Sequence, residues 1–185
     1  MQLRRWQSKA STEALRKFRT GHQHFLCLAT PGAGKTLMAS VVARELCLDG
    51  DVDLVFCLSP SVNVSTTFQA SLERHVGGRL DGRLGSKGCA LTYQAMLNLD
   101  DTFWSLLSRY RVFVIFDEIH HCAGDQLENA NAWGQKIIQK IQGPYCPGLW
   151  IVPSSWVSTA VQVVGTILLS VISPTVHGLM NKQRY

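Results

Sequence analysis

The sequence predicts an α/β domain in which helices cover both faces of a mostly parallel sheet. Three observations carry that expectation. Short apolar runs of strand length (Phe25–Ala29, Val52–Leu58, Cys89–Gln94 and Arg111–Phe116) alternate with longer helix-forming stretches. The strongest of these runs are continuously apolar, the pattern of strands buried on both faces. A chain of 185 residues suffices for one such domain with a sizeable core.

Taken in order, Leu3–Gln7 precedes a helical stretch over Ser11–Phe18, where Ala14, Leu15 and Phe18 fall on one face. The Gln7 amide donates and accepts at once, which suits the edge of an adenine, and Trp6 offers an apolar plane nearby. An ordinary surface position on a helix is an equally good reading of Gln7. Phe25–Ala29 then leads into Ala29-Thr-Pro-Gly-Ala-Gly-Lys-Thr36, and Leu37–Leu46 leads out as a helix. Strand, glycine-rich turn and helix in that order form a phosphate-binding loop. Gly32 and Gly34 allow a tight turn, so that the backbone N–H groups of Thr30, Pro31-flanked Gly32, Ala33 and Gly34 line an anion cradle at a helix N-terminus. Lys35 reaches the β and γ phosphates and the Thr36 hydroxyl ligates Mg²⁺. The usual first glycine of the pattern is Ala29 here.

Asp49-Gly-Asp51 forms a turn, and the strand Val52–Leu58 ends at Ser59-Pro-Ser-Val-Asn63, a loop at the edge where open α/β sheets bind ligands. Ser65 is placed to cap the following helix, which Gly77-Gly78 stops. A basic, glycine-rich connection through Arg79, Arg83 and Lys87 reads as solvated loop in preference to a phosphate-backbone contact. Asp101–Arg109 reads as a helix with Asp100 or Asp101 as its cap. The apolar strand Arg111–Phe116 terminates in Asp117-Glu-Ile-His-His121. A carboxylate pair at such a strand tip suits phosphoryl transfer to water: Asp117 holds Mg²⁺ through its water shell and Glu118 orients and deprotonates the water. His120-His121-Cys122 cannot converge on one metal from a regular element. Asn129–Gln142 is a last amphipathic helix.

A net charge of +5 permits a polyanionic partner without demanding one. Six cysteines without CxxC pairs read as small buried hydrophobes in a reducing, cytoplasmic setting. The N-terminus carries no apolar run of the secretory kind.

These motifs resemble superfamily 2 helicases of the DEAD/DEAH set, closest to the type III restriction subunit-like branch. Leu3-Arg-x-Trp-Gln7 is similar to the Q-type motif, Ala29–Thr36 to motif I and Asp117-Glu-Ile-His120 to motif II. Ser59-Pro-Ser61 resembles motif Ia, and Thr92-Tyr93-Gln94 resembles a strand end of that branch. The match covers residues 1–143, the first RecA-like domain, a three-layer P-loop NTPase fold. The resemblance implies ATP and Mg²⁺ as ligands and nucleic acid as partner, single- or double-stranded, with DNA favoured over RNA. It implies Gln7 on adenine, Lys35 and Thr36 on phosphate and Mg²⁺, Asp117 and Glu118 on metal and water, and His120 coupling hydrolysis to the nucleic-acid site. Pro60, Ser61, Thr92 and Tyr93 would line a single-strand backbone track.

Beyond the Asn129–Gln142 helix the family pattern calls for a strand ending in a Ser/Thr-rich motif III. Residues 144–185 depart from it: no Asp, Glu, Lys or Arg occurs from Ile141 to Asn181, and Gly165-Thr166 and Ser173-Pro-Thr175 are the only echoes. No second RecA-like domain or its arginine finger is in the sequence, so a partner subunit or a further domain is expected to supply it. Three readings of the tail stand open: a shifted reading frame or truncated copy, a divergent packing of the last strands, or a membrane segment. The apolar run Val157–Ile172 is shorter than the ~20 residues that span a bilayer, which disfavours the last.

Overall fold

The structure is a computed structural model and describes residues 2–96, 98–119 and 165–173. Its elements in chain order are α1 (Arg5–Arg19), β1 (His24–Leu28), α2 (Lys35–Leu48), β2 (Leu54–Ser59), α3 (Val62–Val76), β3 (Gly88–Thr92), α4 (Tyr93–Met96), α5 (Asp101–Trp104) with a following 3₁₀ turn (Ser105–Ser108), β4 (Val112–Asp117) and β5 (Thr166–Ile172). The strands form one sheet in the order β1-β5-β4-β2-β3.

The α/β class and the layering match expectation. Alternation along the strands sends Val55, Cys57, Phe113, Ile115, Ile167 and Leu169 to one face, where Ala14 of α1, Met38, Val42 and Leu46 of α2, and Phe68 and Leu72 of α3 pack. Phe56, Leu58, Val112, Val114, Phe116, Leu168 and Ile172 go to the other, under Tyr93, Met96, Trp104 and Leu107. Because both faces are covered, both parities of each central strand are apolar.

The sheet is mixed, which corrects the expectation of a mostly parallel one. β2 pairs in parallel with β3 and β4. β5 lies between β1 and β4 and runs antiparallel to both. Strand direction is a long-range property that an apolar run does not encode. β5 comes from the uncharged stretch beyond residue 143, and among the described residues no helix is long and apolar enough to cross a membrane.

Local chemistry explains several shifted boundaries. α1 begins at Arg5 rather than at Ser11, because the Gln7 side chain reaches back three residues and its Oε1 accepts from Arg4 N–H at 2.8 Å. α3 is capped by Ser61 rather than Ser65; the Ser61 hydroxyl accepts from Val64 N–H. Gly77, at φ 73°, ends that helix as expected. The expected helix over Asp101–Arg109 tightens after Trp104 into the 3₁₀ turn, with Asp100 as its cap, accepting from Phe103 N–H at 2.9 Å. The strand expected over Cys89–Gln94 ends at Thr92, where Thr92 Oγ1 accepts from Ala95 N–H at 3.0 Å and starts α4. The Asn129–Gln142 helix and His120 lie outside the described residues.

Candidate functional site

The sheet register sets the site. Ser59 pairs with Thr92, Leu58 with Phe116, and Asp117 with Ile167, so the C-terminal tips of β2, β3 and β4 share one edge with the start of β5. β1 ends at the same edge, since Leu28 pairs with Thr166. The loop after β1 therefore meets Asp117 and Glu118 across the width of one strand.

The loop has the conformation its glycines predict. Gly32 has φ 74° and Gly34 φ 93°, a left-handed region that favours glycine. Gly34 caps α2, so the unpaired N–H groups of the helix's first turn open beside the loop. Thr30, Pro31 and Gly32 are exposed and Ala33 half-buried, while Lys35 folds inward and is buried. Thr36 follows on the first turn of α2 and is half-buried.

Lys35 Nζ lies 3.2 Å from Glu118 Oε1 and 3.4 Å from the Ala29 carbonyl. Glu118 Oε2 accepts from Gly165 N–H at 2.9 Å. Asp117 is buried, and its carboxyl is pushed up to about 6, first by burial and then by the neighbouring Glu118 charge; Lys35 pulls the other way without cancelling them. A buried carboxylate with more negative charge around it than positive favours a cation, and the Asp117 carboxylate is an oxygen donor of the kind a divalent ion takes. Among the described residues no cluster of three His, Cys, Asp or Glu side chains could hold a metal alone.

Gln7 comes to the loop from the α1 side. It is only 2% exposed, and its Nε2 donates to the Gly34 carbonyl at 2.9 Å while its Oε1 is held by Arg4 N–H. A Cβ at Gly34 would sit 2.5 Å from Gln7 Nε2, so the glycine and the glutamine fit as a pair. Both ends of the amide are engaged by protein, and the structure places it against the phosphate loop.

The residues assigned to a strand track divide. Ser61 is exposed and Pro60 and Thr92 are half-buried at the shared edge. Tyr93 is fully buried, and its hydroxyl donates to the Asp117 carbonyl at 2.8 Å. It braces the strand tip from the interior and does not face an open surface. Sequence reasoning did not foresee the Lys35–Glu118 pair or the Gly165 contact. The glutamine at the third helical position was a visible signal for the N-terminal cap of α1.

This geometry defines a class: an α/β domain with a glycine-rich loop, a buried lysine and paired carboxylates at one sheet edge. A family model described as type III restriction enzyme, res subunit, matches residues 1–149. The chain belongs to that family, whose members carry a helicase-like ATP-binding domain of superfamily 2. An uncharacterized protein of Mycobacterium leprae is 31% identical over 144 residues, covering 73% of this chain and 23% of the relative. An uncharacterized protein of Mycobacterium tuberculosis is 30% identical over 144 residues, covering 73% of this chain and 22% of the relative. The chain thus spans less than a quarter of the length of these curated relatives. No solved structure matches the chain significantly.

Proposed function

We propose that the chain binds ATP with Mg²⁺ at Ala29–Thr36 and hydrolyses it, as the ATP-binding half of a nucleic-acid-dependent ATPase or helicase. The observation that carries this reading is the meeting of Lys35 and Glu118 at 3.2 Å beside the glycine loop and the buried Asp117. An amine for the γ-phosphate and a carboxylate for water at one point suit attack of water on a phosphoryl group.

The loop N–H groups and the α2 N-terminus bind the phosphates, and Lys35 exchanges its carboxylate partner for a phosphate oxygen. Thr36 and Asp117 would hold Mg²⁺, which when bound neutralises charge on the phosphate oxygens. Glu118 then accepts the proton of the attacking water, and the products are ADP and phosphate. Gln7 holds the loop's backbone from beneath, with its contact to adenine, if made, replacing one of its present bonds. His120 is assigned the coupling role on family resemblance. Pro60, Ser61 and Thr92 remain for the track along a nucleic-acid backbone, DNA before RNA, with a second RecA-like domain or a partner subunit closing the site.

Phosphate release from ATP, with and without single-stranded DNA, tests the reading. We expect slow turnover by these 185 residues and faster turnover once a second RecA-like domain or partner subunit is added, since supplying an arginine finger raises rates by about 10³–10⁵. Glu118→Gln should remove what turnover there is and leave nucleotide binding. Tight ATP binding with no turnover under any condition would favour a nucleotide-binding module that docks a partner. Absence of nucleotide binding would refute both.

A further inference from the structure

Among its contacts, Glu118 is held from two different elements of the fold, and the motif reveals neither. Lys35 is the first partner, at 3.2 Å from Oε1. The second is the backbone of Gly165, whose N–H donates to Oε2 at 2.9 Å. The same glycine's carbonyl accepts from Ala29 N–H at 3.1 Å. One residue at the head of β5 is therefore bonded both to the first position of the phosphate loop and to the carboxylate at the tip of β4.

No side chain can replace it there. Gly165 has φ 97°, and a Cβ would sit 2.1 Å from the Ala29 carbonyl oxygen and 3.6 Å from Lys35 Nζ. The residue also lies outside residues 1–149, the part of the chain that the family accounts for.

We propose that Gly165 is a positioning residue for Glu118. The inference rests on the reading of Glu118 as the group that activates water. When Lys35 turns to a phosphate oxygen, its ion pair with Glu118 is given up. The Gly165 N–H is a backbone donor fixed by the sheet, and it keeps hold of the carboxylate through that exchange. A bond from a neutral donor to a charged acceptor is strong enough to orient a side chain and costs no side-chain entropy on the donor's part. β5 thus supplies from its beginning, as a peptide group, a contact to the catalytic edge.

Two measurements on the whole chain test this. The first is amide hydrogen exchange at fixed pH without nucleotide, comparing the natural chain with Glu118→Ala. The Gly165 amide should exchange at least about tenfold faster in the variant, while the amides of Ile115 and Leu169 in the neighbouring strands keep their rates. The second is the same comparison with Mg²⁺ and a non-hydrolysable ATP analogue bound. If the Gly165 N–H keeps hold of the carboxylate once Lys35 has turned to phosphate, its amide stays protected in the natural chain and remains about tenfold faster in Glu118→Ala. Equal Gly165 exchange in the two proteins, with or without the analogue, overturns the proposal while leaving the hydrolytic reading in place. A natural chain that binds ATP and never turns it over removes the hydrolytic reading and the positioning role with it, whatever the exchange result.

Discussion

β4 and β5 lie side by side and deliver groups to the same edge by opposite routes. β4 arrives with its C-terminal end and presents two carboxylate side chains, Asp117 and Glu118. β5 departs from that edge and presents a peptide N–H and carbonyl from Gly165. The first contribution depends on residue type and can be read in the sequence. The second depends on where a backbone lies and cannot. A site of this kind needs donors and acceptors at the edge, and the direction of the strand that brings them is secondary.

The sharpest way to break the comparison is to ask whether both strands carry equal structural weight. Ile115 and Leu169 are register partners, both fully buried in the same cluster. Ile115→Ala and Leu169→Ala should each destabilise the fold by about 2–5 kcal/mol. Urea denaturation measures both, and a Leu169→Ala loss below about 1 kcal/mol would show that β5 is not an integral strand.

A pH difference comes next. The Asp117 carboxyl sits at about 6, above its ordinary 3.8. The folded chain therefore binds more protons than the unfolded chain between those values. The stability that protonation of this group contributes is complete below about pH 4 and is lost as pH rises through 6. In metal-free protein Asp117→Asn should flatten this fall and gain on the natural chain by on the order of 2–3 kcal/mol at pH 7. Denaturation curves at several pH values in chelator check it, and parallel curves for the two proteins would remove the assignment.

Smaller effects follow from single bonds. Tyr93→Phe removes the buried donor to the Asp117 carbonyl, for an expected loss of about 1–2 kcal/mol by thermal denaturation. On β5, Ser170 Oγ lies 2.9 Å from Nδ1 of its register partner His24 in a half-buried pair. Ser170→Ala should cost about 0.5–1 kcal/mol in the same experiment. If Tyr93→Phe proves the milder change, the tip of β4 is braced less than the geometry indicates.

What was legible in the sequence was local. The turn between Ala29 and Thr36 forms where Gly32 and Gly34 stand because only glycine is at ease at their φ values, and the helix after it follows at once. The apolar runs around Val55 and Ile115 became buried central strands because their composition admits little else. Boundaries moved where a polar side chain chose its own partner, as Gln7 did with Arg4 N–H and Ser61 with Val64 N–H. Tyr93 looked like a surface residue at a strand end, yet the turn into α4 swung it inward. The antiparallel seat of β5 had no local sign, because pairing partners are chosen across more than a hundred residues of chain.

Glu118 has φ 50° and is the only non-glycine among the described residues with a left-handed backbone. A side chain in that conformation is held against its own preference by about 1–2 kcal/mol. Glycine would suit the backbone at this position and would end the chemistry proposed for it. The backbone at position 118 and the side chain it carries therefore make opposite demands: glycine relieves the first and strips Lys35 and the Gly165 N–H of their carboxylate.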